Sequence, residues 1–284
     1  MKRVLTIQDI SCLGKCSLTV ALPLISAMGV ETVILPTAVL STHTMFTGFT
    51  CKDLSDQIRP IAEHWKKEGV TFDAVYTGYL GTEEEIDTVS ELIETFRTPD
   101  TLVFVDPAMG DNGKLYPAFD EAYAKRNAGL CALADVIVPN ITEACYMTGQ
   151  DYRETYDEAY VQELLTRLLD LGAKTALMTG VSLSEGMTGV LGRDAATGET
   201  VVYQHERIPV SYHGTGDIFS SVVVGALENG LSYEAACRLA ADYTARTIEV
   251  TMENPAKPWY GVDFEKTIPE LVRSLEQEVQ AARS

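Results

Sequence analysis

Apolar residues in this chain follow two rhythms that alternate. Short runs, continuously apolar or nearly so, occupy positions 4–7, 32–40, 73–77, 101–105, 135–138 and 174–179. Runs of that length without a polar face suit strands covered on both sides, as in a parallel sheet. Between them the apolar positions recur at helical spacing. In 53–68, Leu54, Ile58, Ile61, Ala62 and Trp65 share one stripe, and in 157–171 so do Val161, Leu164, Leu165, Leu168 and Leu169. Gly69 and Gly172 stand where helix C-caps belong.

Strand and helix in alternation predict repeated βαβ units with right-handed crossovers. After position 179 the rhythm changes. Positions 187–193 and 199–208 read as two antiparallel strands around a turn at 194–198, and helices dominate from 216 onward. No Pro/Gly/Ser-rich linker or solenoid repeat interrupts the pattern. The expectation is one α/β domain over residues 1–284, with three α/β/α layers, a mostly parallel central sheet and an antiparallel edge hairpin.

Composition narrows the partners. Of 284 residues, 46% are hydrophobic and 22% charged, the balance of a folded globular chain. A net charge of −19 repels nucleic acid and anionic membranes, so neither is an expected partner. It also repels nucleotides at long range, so a phosphate site would need local backbone amides, a helix N-terminus and a divalent cation. The start, MKRVLTIQDI, carries no apolar signal region and no stretch reaches membrane-span length, which predicts a cytoplasmic protein with its six cysteines reduced. Cys12 and Cys16 form a C-x3-C pair, but no second pair stands nearby to complete a zinc site, and packed thiols are expected instead.

The chemistry concentrates at Tyr212-His213-Gly214-Thr215-Gly216-Asp217-Ile218-Phe219. Two glycines allow close backbone approach, and an amphipathic helix follows at once through Phe219, Val222, Val223, Ala226 and Leu227. Gly214, Thr215 and Gly216 would then form an anion-binding helix start, and Asp217 a general base for an attacking alcohol. Spacing alone leaves open the plainer reading, a glycine turn with Asp217 as a cap. The dinucleotide pattern G-x-G-x-x-G fails at Phe219. Walker A is absent, since Gly113-Lys114 precedes Leu115 and Gly14-Lys15 precedes Cys16.

Further segments carry a family resemblance. Thr6-Ile7-Gln8, Ser41-Thr42-His43-Thr44, Tyr76-Thr77-Gly78-Tyr79, Asp106-Pro107-Ala108-Met109-Gly110-Asp111, Pro139-Asn140-Ile141-Thr142-Glu143 and Gly214-Thr215-Gly216-Asp217 occur in this order. Together they resemble the pyridoxal kinase branch of the ribokinase superfamily over nearly the whole chain. The resemblance implies a ribokinase-like fold and ATP-dependent phosphorylation of the 5′-hydroxymethyl group of a B6 vitamer. It implies Asp217 as base and Gly214, Thr215 and Gly216 as anion hole. For Mg2+ it implies Asp111 and Glu143, with Asp106 helping a cation, K+ or Na+ included. Asp111, Tyr116, Asn140, Glu143, Thr179, Val210 and Thr215 would face ATP, with Asn140 orienting the metal shell. Asp9, His43, Thr44, Tyr79 and Asp217 would face the vitamer. A homodimer is implied in the same way. Without the resemblance, Asp106 and Asp111 read as strand-end turn residues, Glu143 and Asn140 as a helix start, and Thr179 as a strand-end hydroxyl.

The sequence also departs from that pattern. Asp9 stands where the family has Ser, and either contacts the ring nitrogen as an acceptor or makes a turn. Met45, Ser182 and the segment SCLGKCS at 11–17 differ too, which bears on the preferred vitamer. Two rivals remain at this level: a hydroxymethylpyrimidine or related small-molecule kinase using the same base, and a non-catalytic nucleotide- or vitamin-binding protein. An intact G-T-G-D argues against the second, because a binder needs no base.

Overall fold

The structure is a computed structural model that describes residues 1–283. Its elements run β1 (Arg3–Leu13), α1 (Leu18–Ala27), β2 (Glu31–Thr42), β3 (Cys51–Asp53), α2 (Ser55–Lys67), β4 (Ala74–Thr77), α3 (Glu83–Phe96), β5 (Leu102–Val105), β6 (Gly110–Asp111), β7 (Lys114–Leu115), α4 (Glu121–Cys131), β8 (Val136–Ile137), α5 (Ile141–Thr148), α6 (Glu158–Asp170), β9 (Thr175–Val181), β10 (Met187–Asp194), β11 (Thr200–Glu206), α7 (Thr215–Glu228), α8 (Tyr233–Glu253) and α9 (Ile268–Arg283). Contacts group the chain into two compact units, one of residues 1–57 with 208–284 and one of residues 58–207. Each is described by itself.

In the first unit β1 pairs parallel with β2, and β2 pairs antiparallel with β3. Val4, Leu5, Ile7 and Leu35 are fully buried in this ribbon. Full burial of such a side chain stabilises the fold by about 1.5–3 kcal/mol, so the apolar run dictates where the strand lies. The strand does not stop where the apolar run stops. It continues through Gln8, Asp9 and Ser11, all buried, so the reading of Asp9 as a turn residue is corrected: it lies within β1. Register slips there, since Gln8 faces Pro36 while Ile10 faces Val39. The extra residue of this bulge lies in β2 opposite Asp9, at a place where bulges commonly re-aim side chains. Helix α1 is apolar almost all round, with Leu18, Val20, Ala21, Leu24 and Ile25 buried, and α7 likewise buries Ile218 through Ala226. Val20 is core, as expected from its surroundings.

In the second unit β4, β5, β8 and β9 form parallel neighbours in that order, and β10 and β11 follow antiparallel. The predicted strands at 73–77, 101–105, 135–138 and 174–179 and the hairpin at 187–208 all occur, with ends shifted by at most two residues. Helix α6 buries Val161, Leu164, Leu165 and Leu168 as its stripe predicts, and Asp157 caps it by accepting from Tyr160 N–H. One small hairpin, β6–β7, turns through Asn112 (φ 51°) and Gly113 (φ 75°), the pair of positive φ values a two-residue primed turn demands. Among the described residues, no helix is long and apolar enough to cross a membrane.

Candidate active site

The first unit assembles a polar cluster from β1, the loop into α1, the end of β2 and the start of α7. Asp9 is 5% exposed. Its Oδ1 accepts from Ser17 Oγ (2.6 Å) and its Oδ2 from Ser11 Oγ (2.9 Å). Burial pushes its carboxyl up from the ordinary value, against the pull of those two hydroxyls. Ser17 sits at the cap position of α1 with φ 50° and ψ −136°, and it makes no cap bond. Such a conformation costs on the order of 1–3 kcal/mol for a non-glycine residue, and here it turns the hydroxyl onto Asp9. Cys16 is buried beside both Asp9 and Asp217. Burial and then the two carboxylates hold its thiol far above the ordinary range, so it is a neutral S–H. The expectation of two packed thiols is corrected in part, because Cys12 is exposed.

His43 is buried at the end of β2. Its Nδ1 accepts from Met45 N–H (3.2 Å), which leaves Nε2 to carry the proton donated to the Tyr260 carbonyl (3.0 Å). This tautomer is neutral, and burial lowers the ring's proton affinity in agreement. His213 lies against it with ring centroids 4.4 Å apart, and burial first, then the repulsion a second proton would meet beside His43, lowers its pKa to about 4. Phe46, Trp259 and Tyr260 complete an aromatic wall, with Phe46 4.9 Å from His43 and 4.4 Å from Trp259. Thr44 is exposed on the turn after His43.

Helix α7 starts without a side-chain cap. Its cap residue is Gly214, left-handed at φ 84°. A Cβ there would lie 1.8 Å from the Lys15 carbonyl oxygen, so geometry and space both require glycine. Thr215 Oγ1 donates to Tyr212 O (3.1 Å), tightening the turn. The first helical bond runs from Ile218 N–H to Gly214 O, so the Thr215 and Gly216 amides precede the ladder at the positive end of a 14-residue helix. Asp217 is the third helical residue, half-buried, so the plainer reading of it as the cap is corrected. Val210, also in this unit, is 39% exposed and donates its N–H to Ile208 O (2.8 Å).

In the second unit, carboxylates gather around α5. Asn140 caps this helix by accepting from Glu143 N–H (3.0 Å), and Glu143 Oε2 accepts from Asn140 N–H (2.8 Å). Glu143 Oε1 accepts from Met109 N–H (3.0 Å), and Asn140 Nδ2 donates to Gly110 O (2.8 Å). Thr142 Oγ1 accepts from Gly113 N–H (2.9 Å). The first turn of α5 therefore grips the β6–β7 hairpin, and the plain capping role read for Asn140 is present. Glu143 is 3% exposed and Asp106 8%. Burial first, and the neighbouring Asp106 charge second, push Glu143 up to about 8. Asp111 stands apart, exposed on β6 and accepting from Asn112 N–H (2.8 Å) and Asn112 Nδ2 (2.9 Å). Tyr79 packs on Phe119 at 5.3 Å, Tyr116 is 37% exposed, and Thr179 donates its N–H to Pro139 O (3.0 Å); β9 runs on to Val181, so the reading of Thr179 as a strand-end residue is corrected.

Among the described residues no three His, Cys, Asp or Glu side chains converge as a metal cluster. Asp106 and Glu143 nonetheless fit a hard cation. They are buried hard-oxygen donors whose mutual repulsion a positive charge relieves, and Mg2+ typically takes only one or two carboxylates, with water and phosphate oxygens as its other ligands. Sequence motifs pointed to Asp9, His43, Glu143 and the helix start but not to Ser11, Ser17, Phe46, Trp259 or Tyr260, which belong to no motif.

Comparison with known proteins gives the family. The family model for phosphomethylpyrimidine kinase matches residues 22–259. The pyridoxal kinase PdxY of Paraburkholderia xenovorans is 30% identical over 246 residues, 83% of this chain and 83% of its own. The crystal structure of pyridoxal kinase from Lactobacillus plantarum superposes with a TM-score of 0.88 at 30% identity, covering 98% of this chain and 99% of that one. A Bacteroides thetaiotaomicron protein described as a phosphomethylpyrimidine kinase and crystallised with pyridoxal gives a TM-score of 0.91 at 37% identity, covering 95% of each chain. With the fold, the G-T-G-D helix start and these likenesses together, the chain belongs to the phosphomethylpyrimidine kinase family, in the pyridoxal kinase branch of the ribokinase-like superfamily.

Proposed function

We propose that this chain transfers the γ-phosphoryl group of ATP to the 5′-hydroxymethyl group of a B6 vitamer. The observation that carries the reading is the start of α7, where a glycine cap, early helix amides and a half-buried carboxylate occur within four residues. The alcohol oxygen attacks the γ-phosphorus, the bond to the β-phosphate oxygen breaks, and Asp217 accepts the alcohol proton. The amides of Gly214, Thr215 and Gly216 stabilise charge on the transferring group. Mg2+, held by Asp106 and Glu143 with Asp111 as a further carboxylate, would neutralise phosphate charge when bound; a monovalent K+ or Na+ near Asp106 belongs to the same proposal.

The remaining assignments divide by unit. Asp9, His43 and Thr44 in the first unit and Tyr79 in the second are the proposed vitamer contacts. Tyr116, Asn140 and Thr179 in the second unit and Val210 in the first are the proposed nucleotide contacts. Asp9 suits a ring nitrogen that bears a proton, because the side chains bonded to it are the neutral hydroxyls of Ser11 and Ser17, which bring no positive charge of their own. A cytoplasmic homodimer acting as one ribokinase-like domain over residues 1–284 completes the reading, and sedimentation tests the dimer.

The family description favours one second reading, a hydroxymethylpyrimidine kinase working through the same base. Incubating purified protein with MgATP and pyridoxal, pyridoxine, pyridoxamine or hydroxymethylpyrimidine in turn separates them. Phosphate ester from a B6 vitamer supports the first reading. Ester from the pyrimidine alone replaces it.

A further inference from the structure

Lys15 lies in the 11–17 segment, and its contacts reach both the residues after α8 and the turn before α7. Its Nζ lies 2.6 Å from Glu265 Oε2, 3.6 Å from Asp263 Oδ1 and 5.5 Å from the centroid of the Phe264 ring. The Lys15 side chain is 14% exposed and that of Asp263 10%, so this pair meets with less solvent between its charges than a surface pair has, whereas Glu265 is exposed. Its stem crosses Gly261 so closely that a Cβ there would lie 2.5 Å from Lys15 Cβ. Asp263 is itself fixed: it accepts from Asn254 Nδ2 (2.7 Å) and Lys266 Nζ (2.6 Å), and its N–H donates to Thr251 Oγ1 (2.7 Å). The far end of Lys15 is thus anchored to the end of α8 and the segment after it.

The near end is the functional one. The Lys15 carbonyl oxygen is the atom that a Cβ on Gly214 would meet at 1.8 Å, so the Lys15–Cys16 peptide rests directly on the turn that starts α7. Two residues on, Ser17 bonds Asp9 at 2.6 Å. Thr19 Oγ1 donates to the Cys16 carbonyl (2.7 Å) and sits near the Gly14 carbonyl (3.1 Å), which ties the loop to α1. The anchoring segment also carries Tyr260, whose carbonyl sets the His43 tautomer.

We infer that Lys15 is a positioning residue: its ion pairs with Asp263 and Glu265 hold the 14–17 loop so that one peptide supports the Gly214 turn and one hydroxyl aligns Asp9. The inference rests on the proposed role of the α7 start as anion hole, and it adds a side chain that reaches no reacting atom. A displacement of the turn by a fraction of an ångström would fall on kcat, since misplacement of about 1 Å can cost on the order of a hundredfold in rate.

The test compares Lys15→Met, which keeps the stem and loses the charge, with Lys15→Arg and with the milder Glu265→Gln. Steady-state kinetics and amide hydrogen exchange are read on the same preparations, with exchange followed in a peptide covering 211–219 and in a control peptide from α6. Expected for Lys15→Met is a kcat lowered about tenfold with KM for ATP within about twofold, on the scale of modest misplacement. Exchange should quicken at 211–219 and stay unchanged in α6, Lys15→Arg should restore both, and Glu265→Gln should fall between. Unchanged exchange at 211–219 in Lys15→Met, or a kcat loss that Lys15→Arg shares in full, overturns the inference. A wild-type protein that phosphorylates no alcohol would sink the functional reading, and the exchange result would still decide the role of Lys15.

Discussion

The two units bury carboxylates by different means. In the second, Glu143 is held by main-chain N–H groups of Asn140 and Met109, fixed by a capping box and a tight hairpin. In the first, Asp9 is held by the side-chain hydroxyls of Ser11 and Ser17, one of them on a strained backbone. Backbone amides survive any substitution short of proline, so the second arrangement resists sequence change. Hydroxyls come and go with single substitutions, so the first is the adjustable one. Phosphate chemistry is common to all substrates of such a kinase, whereas the ring differs. The Glu143 cluster is the proposed metal site, and the Asp9 cluster supplies proposed vitamer contacts.

The sharpest way to break this comparison is at the base. Asp217→Asn is expected to lower kcat by roughly 10²- to 10⁴-fold while KM for ATP changes little, the range a general base contributes. A turnover near wild type, measured by coupled ADP release, removes Asp217 from the chemistry. Next in size, Asp9→Ala is expected to raise KM for the vitamer about tenfold or more, as loss of a charged hydrogen bond implies, without a matching change for ATP. Equal change in both constants would place Asp9 in the scaffold instead.

A smaller effect concerns pH. The pKa of His213 is lowered to about 4 in the folded protein, chiefly by burial, while the unfolded value is the ordinary 6.5. The unfolded chain therefore binds the proton first, and this contribution to stability is intact above pH 6.5 and lost as pH falls towards 4. Urea unfolding of His213→Asn should show a shallower loss of stability between those pH values than wild type, and parallel curves would contradict the half-buried neutral ring. Smallest is Asn140→Ala, expected to cost about 1 kcal/mol through loss of the capping box, read as a shift in urea midpoint. It sharpens the contrast because Glu143 keeps its bond from Met109 N–H in that variant.

Legibility in the sequence depended on how local each signal is. Strands such as β4, β5 and β9 are plain because apolar residues dominate them and most of their residues are buried. The start of α7 is plain because two glycines followed by an amphipathic stripe have few other uses. The extension of β1 past Ile7 was hidden, since Gln8, Asp9 and Ser11 are polar and their partners come from elsewhere in the unit. The β6–β7 hairpin did carry a signal, Asn112-Gly113, overshadowed by the acidic residues around it. The assignment of Asp111 to the metal with Glu143 came from motif order. In the structure the Asp106 charge acts on Glu143, and Asp111 accepts from its neighbour Asn112. Nothing local marks Trp259, Tyr260 or Lys15, because their partners lie some 200 or more residues away along the chain.

Phosphorus NMR of wild-type protein with MgATP and pyridoxine tests the central claim most directly. The expected result is a phosphomonoester resonance that grows in step with ADP and is absent without the vitamer. ADP accompanied only by inorganic phosphate, or ATP left intact, would contradict alcohol phosphorylation by this chain.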